Sequence, residues 1–164
     1  MLDDKGVKMI EDIEAATDGL KCAIREYIGE GYLEPKAFFY HRKPDGMKAD
    51  VFPVYDDPMQ PSVFRFHAMM TQPDIFLLVT EAWSKELTEG ELAEEDLSEP
   101  VKEKDGAKEI IVAIFETIEE RQTVTIEPEY IPDTIEEVDD MVIVWDTPEG
   151  SCGRFCNILY HRGR

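Results

Sequence analysis

Ile75-Phe76-Leu77-Leu78-Val79-Thr80-Glu81-Ala82-Trp83 is the stretch on which the fold turns. Its first five residues are apolar without a break. A strand with one wet face alternates apolar and polar residues, whereas an unbroken run of this length fits a central strand covered on both faces. A helix on one face and a further layer opposite would supply that cover.

Strand signals continue downstream. Ala107–Ile118 and Gln122–Glu127 are rich in Ile, Val and Thr, and Glu119-Glu120-Arg121 is the turn between them. Asp140–Asp146 and Phe155–His161 read as a last strand pair, joined through Pro148-Glu149-Gly150-Ser151. Upstream, Ala37–Arg42 and Met47–Val54 form a hairpin about Lys43-Pro44-Asp45-Gly46, where Pro presets φ and Gly accepts a positive φ. Pro53 points to an edge or a strand end.

Two helices complete the pattern. Over residues 7–29, Ile10, Ile13, Thr17, Leu20, Ile24, Tyr27 and Ile28 recur at three- and four-residue steps, and Gly29, Gly31 and Pro35 supply the stop. Gly19 is an irregularity inside that pattern. Ser62–Thr71 reads as a short helix between prolines, with Val63, Phe66 and Met70 on one side and Phe64 off it. Short connections favour antiparallel pairing. The expected fold is α+β: a twisted antiparallel sheet of five to seven strands, with the N-terminal helix and the second short helix packed on one face. A closed or half-closed barrel is the alternative. Residues 1–164 read as a single domain around one shared apolar interior, with an acidic, aromatic-poor loop at 84–106 expected to be mobile.

Composition limits function. The chain has 164 residues, 37 Asp and Glu against 17 Lys and Arg, and a net charge of −20. Such a surface repels nucleic-acid phosphates and anionic membranes, so neither is an expected partner. Met1 to Lys8 lacks the apolar stretch of a signal peptide, and no run is long enough to span a membrane. The odd cysteine count, Cys22, Cys152 and Cys156, fits a reducing cytoplasm.

Few residues suggest chemistry. Cys152 and Cys156 are spaced C-x3-C, and His161 with one acid could complete a zinc set, but the thiols need not converge and no metal is assigned. The acids of 127–140 lack a calcium-loop pattern. Tyr40-His41-Arg42 and Tyr160-His161-Arg162 each close a strand, so His41, Arg42, His161 and Arg162 are candidates for a basic cluster that binds an anion or an acidic group. Glu81, at the end of an apolar strand, is a candidate general acid if buried, with His41 or His67 as partner. His67 follows the apolar face of the short helix, where a half-buried structural histidine is the plainer reading. No nucleophile motif, phosphate loop or His-Glu-x-x-His is present, and no cofactor is expected.

The segment ending Glu81-Ala82-Trp83, followed by a polar loop and then Lys108–Thr117, resembles a pattern in uncharacterised small prokaryotic and phage proteins. The resemblance covers about a quarter of the chain. It implies a prokaryotic or phage origin, and it carries over no activity and no site residue. The first functional reading is therefore a non-enzymatic binding or regulatory protein with a protein partner, a homodimer among the options. A DNA mimic that blocks basic nucleic-acid-binding sites and a small enzyme using Glu81 with a histidine are the alternatives.

Overall fold

Helix α1 (Asp4–Glu30) starts where the Asp3 carboxylate accepts the Gly6 amide at 2.8 Å, and stops at Gly31. Gly31 takes a left-handed φ of 84° and donates its amide to the Tyr27 carbonyl. The computed structural model describes residues 3–84, 108–147, 155 and 157–159, apart from the side chains of residues 83, 84 and 108.

The sheet contains β1 (Lys36–Lys43), β2 (Gly46–Pro53), β3 (Ile75–Ser84), β4 (Lys108–Glu116) and β5 (Arg121–Ile126). Its order is β2-β1-β3-β4-β5, and every pair is antiparallel. The apolar run that opens β3 thus lies in the middle, as an unbroken run requires. β2 and β5 are the edges of this sheet, β5 touched by a single Thr123–Asp146 bridge, so no barrel closes among the described residues. Gly46 closes the β1–β2 hairpin with φ 123°, and Pro53 ends the edge strand.

The expected α+β class and antiparallel sheet are those observed. The placement of the helices is not. Helix α2 (Gln60–Thr71) packs on the face opposite α1. Alternate residues of the central strands feed two apolar layers. Phe38, Tyr40, Ile75, Leu77 and Val79 pack with Leu20 and Ile24 of α1, while Ala37, Phe39, Phe76 and Leu78 pack with Phe64 and Ala68 of α2. The single shared interior expected from the sequence is two interiors divided by one sheet. The continuous apolar run of β3 is the physical reason: neither of its faces can be left in water.

Gly19 lets α1 sit close to the sheet. A Cβ there would collide with Tyr40 Oη and stand 2.6 Å from Leu77 Cδ2, so any side chain would force those two buried residues or the helix to shift. Burial under α1 also raises the Tyr40 phenol pKa far above its ordinary value.

Residues 140–146 do not build the strand expected there. Met141, Ile143 and Trp145 turn inward and Val142 and Val144 outward, but among the described residues only Thr123 and Asp146 form a bridge. The alternation comes from packing rather than from a hydrogen-bonded ladder. Trp145 stands edge-on to Phe115 at 4.9 Å, and its indole N–H donates to Thr17 Oγ1 at 3.0 Å. Two 3-10 turns precede it, at Pro128–Tyr130 and Glu136–Asp140. Of the expected partner strand, Asn157–Leu159 forms a turn. His161, Cys152, Cys156 and the acidic loop beyond Ser84 lie outside the described residues.

Candidate functional site

Helix α2 is apolar on both sides. Its inward side buries Pro61, Phe64 and Ala68, with Gln60 anchoring the start through its amide to the Pro53 carbonyl at 2.8 Å and its carbonyl to the Tyr55 amide at 2.7 Å. Phe64 meets Phe39, Phe76 and Phe155 at ring separations of 5.5–6.0 Å. The outward side carries Val63, Phe66 and Met70, with Met59 before the first turn and Met69 beside the row. These five are 58–66% exposed. The repeat that marks the helix in the sequence is therefore the side turned to solvent, and Phe64, off that repeat, is the residue it buries. Met59, Val63, Phe66 and Met70 follow four-three-four spacing, the seam of a helix that pairs with another helix.

The surroundings of this row are unusual for the chain. No acid lies between Asp57 and Asp74, although 37 acids occur in 164 residues. The exposed apolar row is thus also the stretch where the negative charge is lifted.

Beneath α2 lies a polar cluster. His41 of β1, Asp50 of β2 and His67 of α2 place one candidate ligand atom each within 4.8 Å of one another. His41 Nε2 is 3.2 Å from Asp50 Oδ2, and His67 Nε2 is 3.6 Å from the same oxygen. The rings of Phe39 and Phe52 hold the His67 imidazole edge-on, at 4.8 and 5.0 Å. His67 is thus half-buried, as its position on the helix suggested. Its Nε2, however, is buried without a hydrogen-bond partner among the described residues.

The other sequence candidates separate. Arg42 projects from the opposite side of β1 to His41. Its guanidinium meets Asp12 at 2.8 Å, Glu11 at 3.3 Å and Asp74 at 3.9 Å, and its amide donates to Asp74 Oδ2 at 2.7 Å. It ties α1 to the sheet rather than standing beside His41 as a second cation for one anion. Burial raises the Asp12 pKa, against the pull of Arg42. His161 and Arg162 lie outside the described residues. Glu81 faces α1, where its carboxylate accepts the Leu33 amide at 2.8 Å, so the sheet separates it from both histidines. Its partner is Glu109: a hydrogen bond that protonated Glu109 donates to Glu81, then burial and the neighbouring charge, raise the Glu109 pKa. Burial first, then the charges of Glu109 and Glu81, push the Tyr27 phenol up.

Sequence reasoning missed Glu116 altogether. This carboxylate is fully buried at the end of β4. It accepts the amides of Asn157 at 2.9 Å, Ile158 at 2.8 Å and Leu159 at 3.2 Å, and Arg121 Nε at 3.0 Å. Its role is to fix that turn, and with it Ile158 and Leu159, over the α2 face. Alongside, a cleft of about 460 Å³ is walled by Val54, Leu78, Ala82, Val112, Ile114 and Phe155.

Comparison with protein families, with curated proteins and with solved structures finds no match. Among the described residues, no helix is long and apolar enough to cross a membrane.

Proposed function

We propose that this chain is a non-enzymatic binding protein that pairs with a second copy of itself through the outward row of α2. The observation that carries this reading is the two-sidedness of the helix: Phe64 and Ala68 hold it to the sheet, while Val63, Phe66 and Met70 face water. Large apolar side chains grouped on one exposed helix face are a common mark of an association surface.

A second copy is favoured over another occupant on two grounds. The four-three-four row is self-complementary, since two such helices crossing on a two-fold axis interleave the same residues. The chain also carries −20, so two copies repel wherever acids meet. The acid-free stretch between Asp57 and Asp74 is a place where they can touch without that penalty.

The area sets the strength. Side chains of this size offer on the order of 100 Å² each, so the five offer about 500 Å² per partner, below the ~800 Å² of a standard interface. Pairing should therefore depend on concentration rather than being obligate. Size-exclusion chromatography with light scattering tests it. The wild-type chain should approach twice its 18.8 kDa mass as its concentration rises. Phe66→Glu, which places a charge on an exposed position, should elute as a monomer with an unchanged circular dichroism spectrum. A monomeric wild type at high concentration, or a Phe66→Glu variant that still pairs, overturns the proposal.

A further inference from the structure

We infer that His41, Asp50 and His67 form a binding site for one divalent transition-metal ion of the zinc class. The site lies on the inward side of α2, apart from the pairing surface.

The geometry is close to what such an ion needs. Zinc bound to imidazole nitrogen and carboxylate oxygen at about 2.0–2.1 Å sets neighbouring ligand atoms roughly 3.3 Å apart. The two separations from Asp50 Oδ2, 3.2 Å to His41 and 3.6 Å to His67, straddle that value. An ordinary ion pair explains the His41–Asp50 contact. The His67 contact with Asp50 is looser. At 3.6 Å its Nε2 is too far from Asp50 for a hydrogen bond, yet it is buried and has no other partner among the described residues. A buried ring nitrogen left in this state costs free energy. Coordination would satisfy it, and Phe39 and Phe52 already pack edge-on against the ring that would supply the nitrogen.

The donor set selects the class of ion. Two imidazoles and one carboxylate suit zinc, cobalt, nickel or ferrous iron, whereas calcium and magnesium prefer oxygen donors. Asp50 is half exposed, so solvent reaches the cluster and water can fill the fourth position. The three ligands come from two strands of a hairpin and from the helix above it. An ion held there would fasten α2 to the β1–β2 hairpin.

The test must separate this site from loose binding to a surface of net charge −20. Cobalt(II) is titrated into the full chain at neutral pH with magnesium in large excess, and visible absorption is recorded. One equivalent should bind, with the stronger absorption of low-coordinate cobalt bearing nitrogen ligands, and zinc should displace it. Asp50→Asn changes a half-exposed edge residue and leaves the ring packing intact. It should weaken cobalt binding by at least about tenfold. His67→Ala should abolish the absorption, and His41→Gln, which spares the contacts of α2, should also abolish it if the His67 variant is unstable. Cobalt that magnesium displaces, or a spectrum equally strong in Asp50→Asn and His41→Gln, overturns the inference.

Discussion

Removing the Glu116 carboxylate would strand three backbone amides and one side of Arg121 at once, because all four donate to this fully buried group. Leaving a buried charged network without one member costs about 3 kcal/mol or more. Glu116→Ala should lower stability by that order in urea unfolding, and Glu116→Gln, which keeps one acceptor oxygen, should lose less. The Glu81–Glu109 pair behaves in the opposite sense. The Glu109 pKa lies above its ordinary value of 4.5, so the folded chain holds that proton more tightly than the unfolded chain. The stabilisation it brings is complete below the ordinary value and is lost as pH rises through the folded value. At neutral pH two carboxylates then face each other. Glu109→Gln should raise the melting temperature at pH 7, with the gain shrinking toward about pH 4. Neither role was visible in the sequence. Glu116 stands at a strand end, where an acid ordinarily meets water, and the amides it binds follow about forty residues later. Glu81 was noticed for its place after an apolar run. Its true partner, Glu109, lies on the next strand, and only the register brings the two together.

At the level of elements, most of the sheet and α1 were legible, because each is declared by a local pattern with one meaning. The run Ile75–Val79 could only be central, and Lys43-Pro44-Asp45-Gly46 could only turn. Gly19 was read as a weakness of α1 but is a contact. A propensity argument would make Gly19→Ala stabilising by up to about 1 kcal/mol. The closeness of Tyr40 and Leu77 reverses the sign. The substitution should destabilise by about 1–3 kcal/mol in denaturant unfolding, as overpacked cores do. Helix α2 was legible as a helix but not in its orientation. A period identifies an apolar side and cannot say whether a sheet or a second molecule will cover it. Gln60, bonded at Tyr55 and Pro53, and Phe64, wedged among aromatic rings, decide the matter by fixing which side looks inward. The histidine cluster was hidden for a related reason. His41 and His67 were each noted, but Asp50 on an exposed edge strand gave no signal, and no motif spacing links residues drawn from three elements. The segment 140–146 misled in another way, since alternating burial mimics a strand without the ladder.

For the whole molecule, charge and apolar surface oppose each other. A chain of net charge −20 keeps copies apart at long range, while the acid-free row on α2 favours contact at short range. Salt screens the first and leaves the second largely untouched. Self-pairing should therefore strengthen as ionic strength rises, whereas an attachment between this chain and a basic partner should weaken. Sedimentation equilibrium of the wild-type chain at low and at high sodium chloride reads this directly. The expected result is a monomer–dimer equilibrium whose dissociation constant falls as salt is added. A single 18.8 kDa species in both conditions, or a dimer that salt dissociates, would contradict the assignment of α2 as the pairing face.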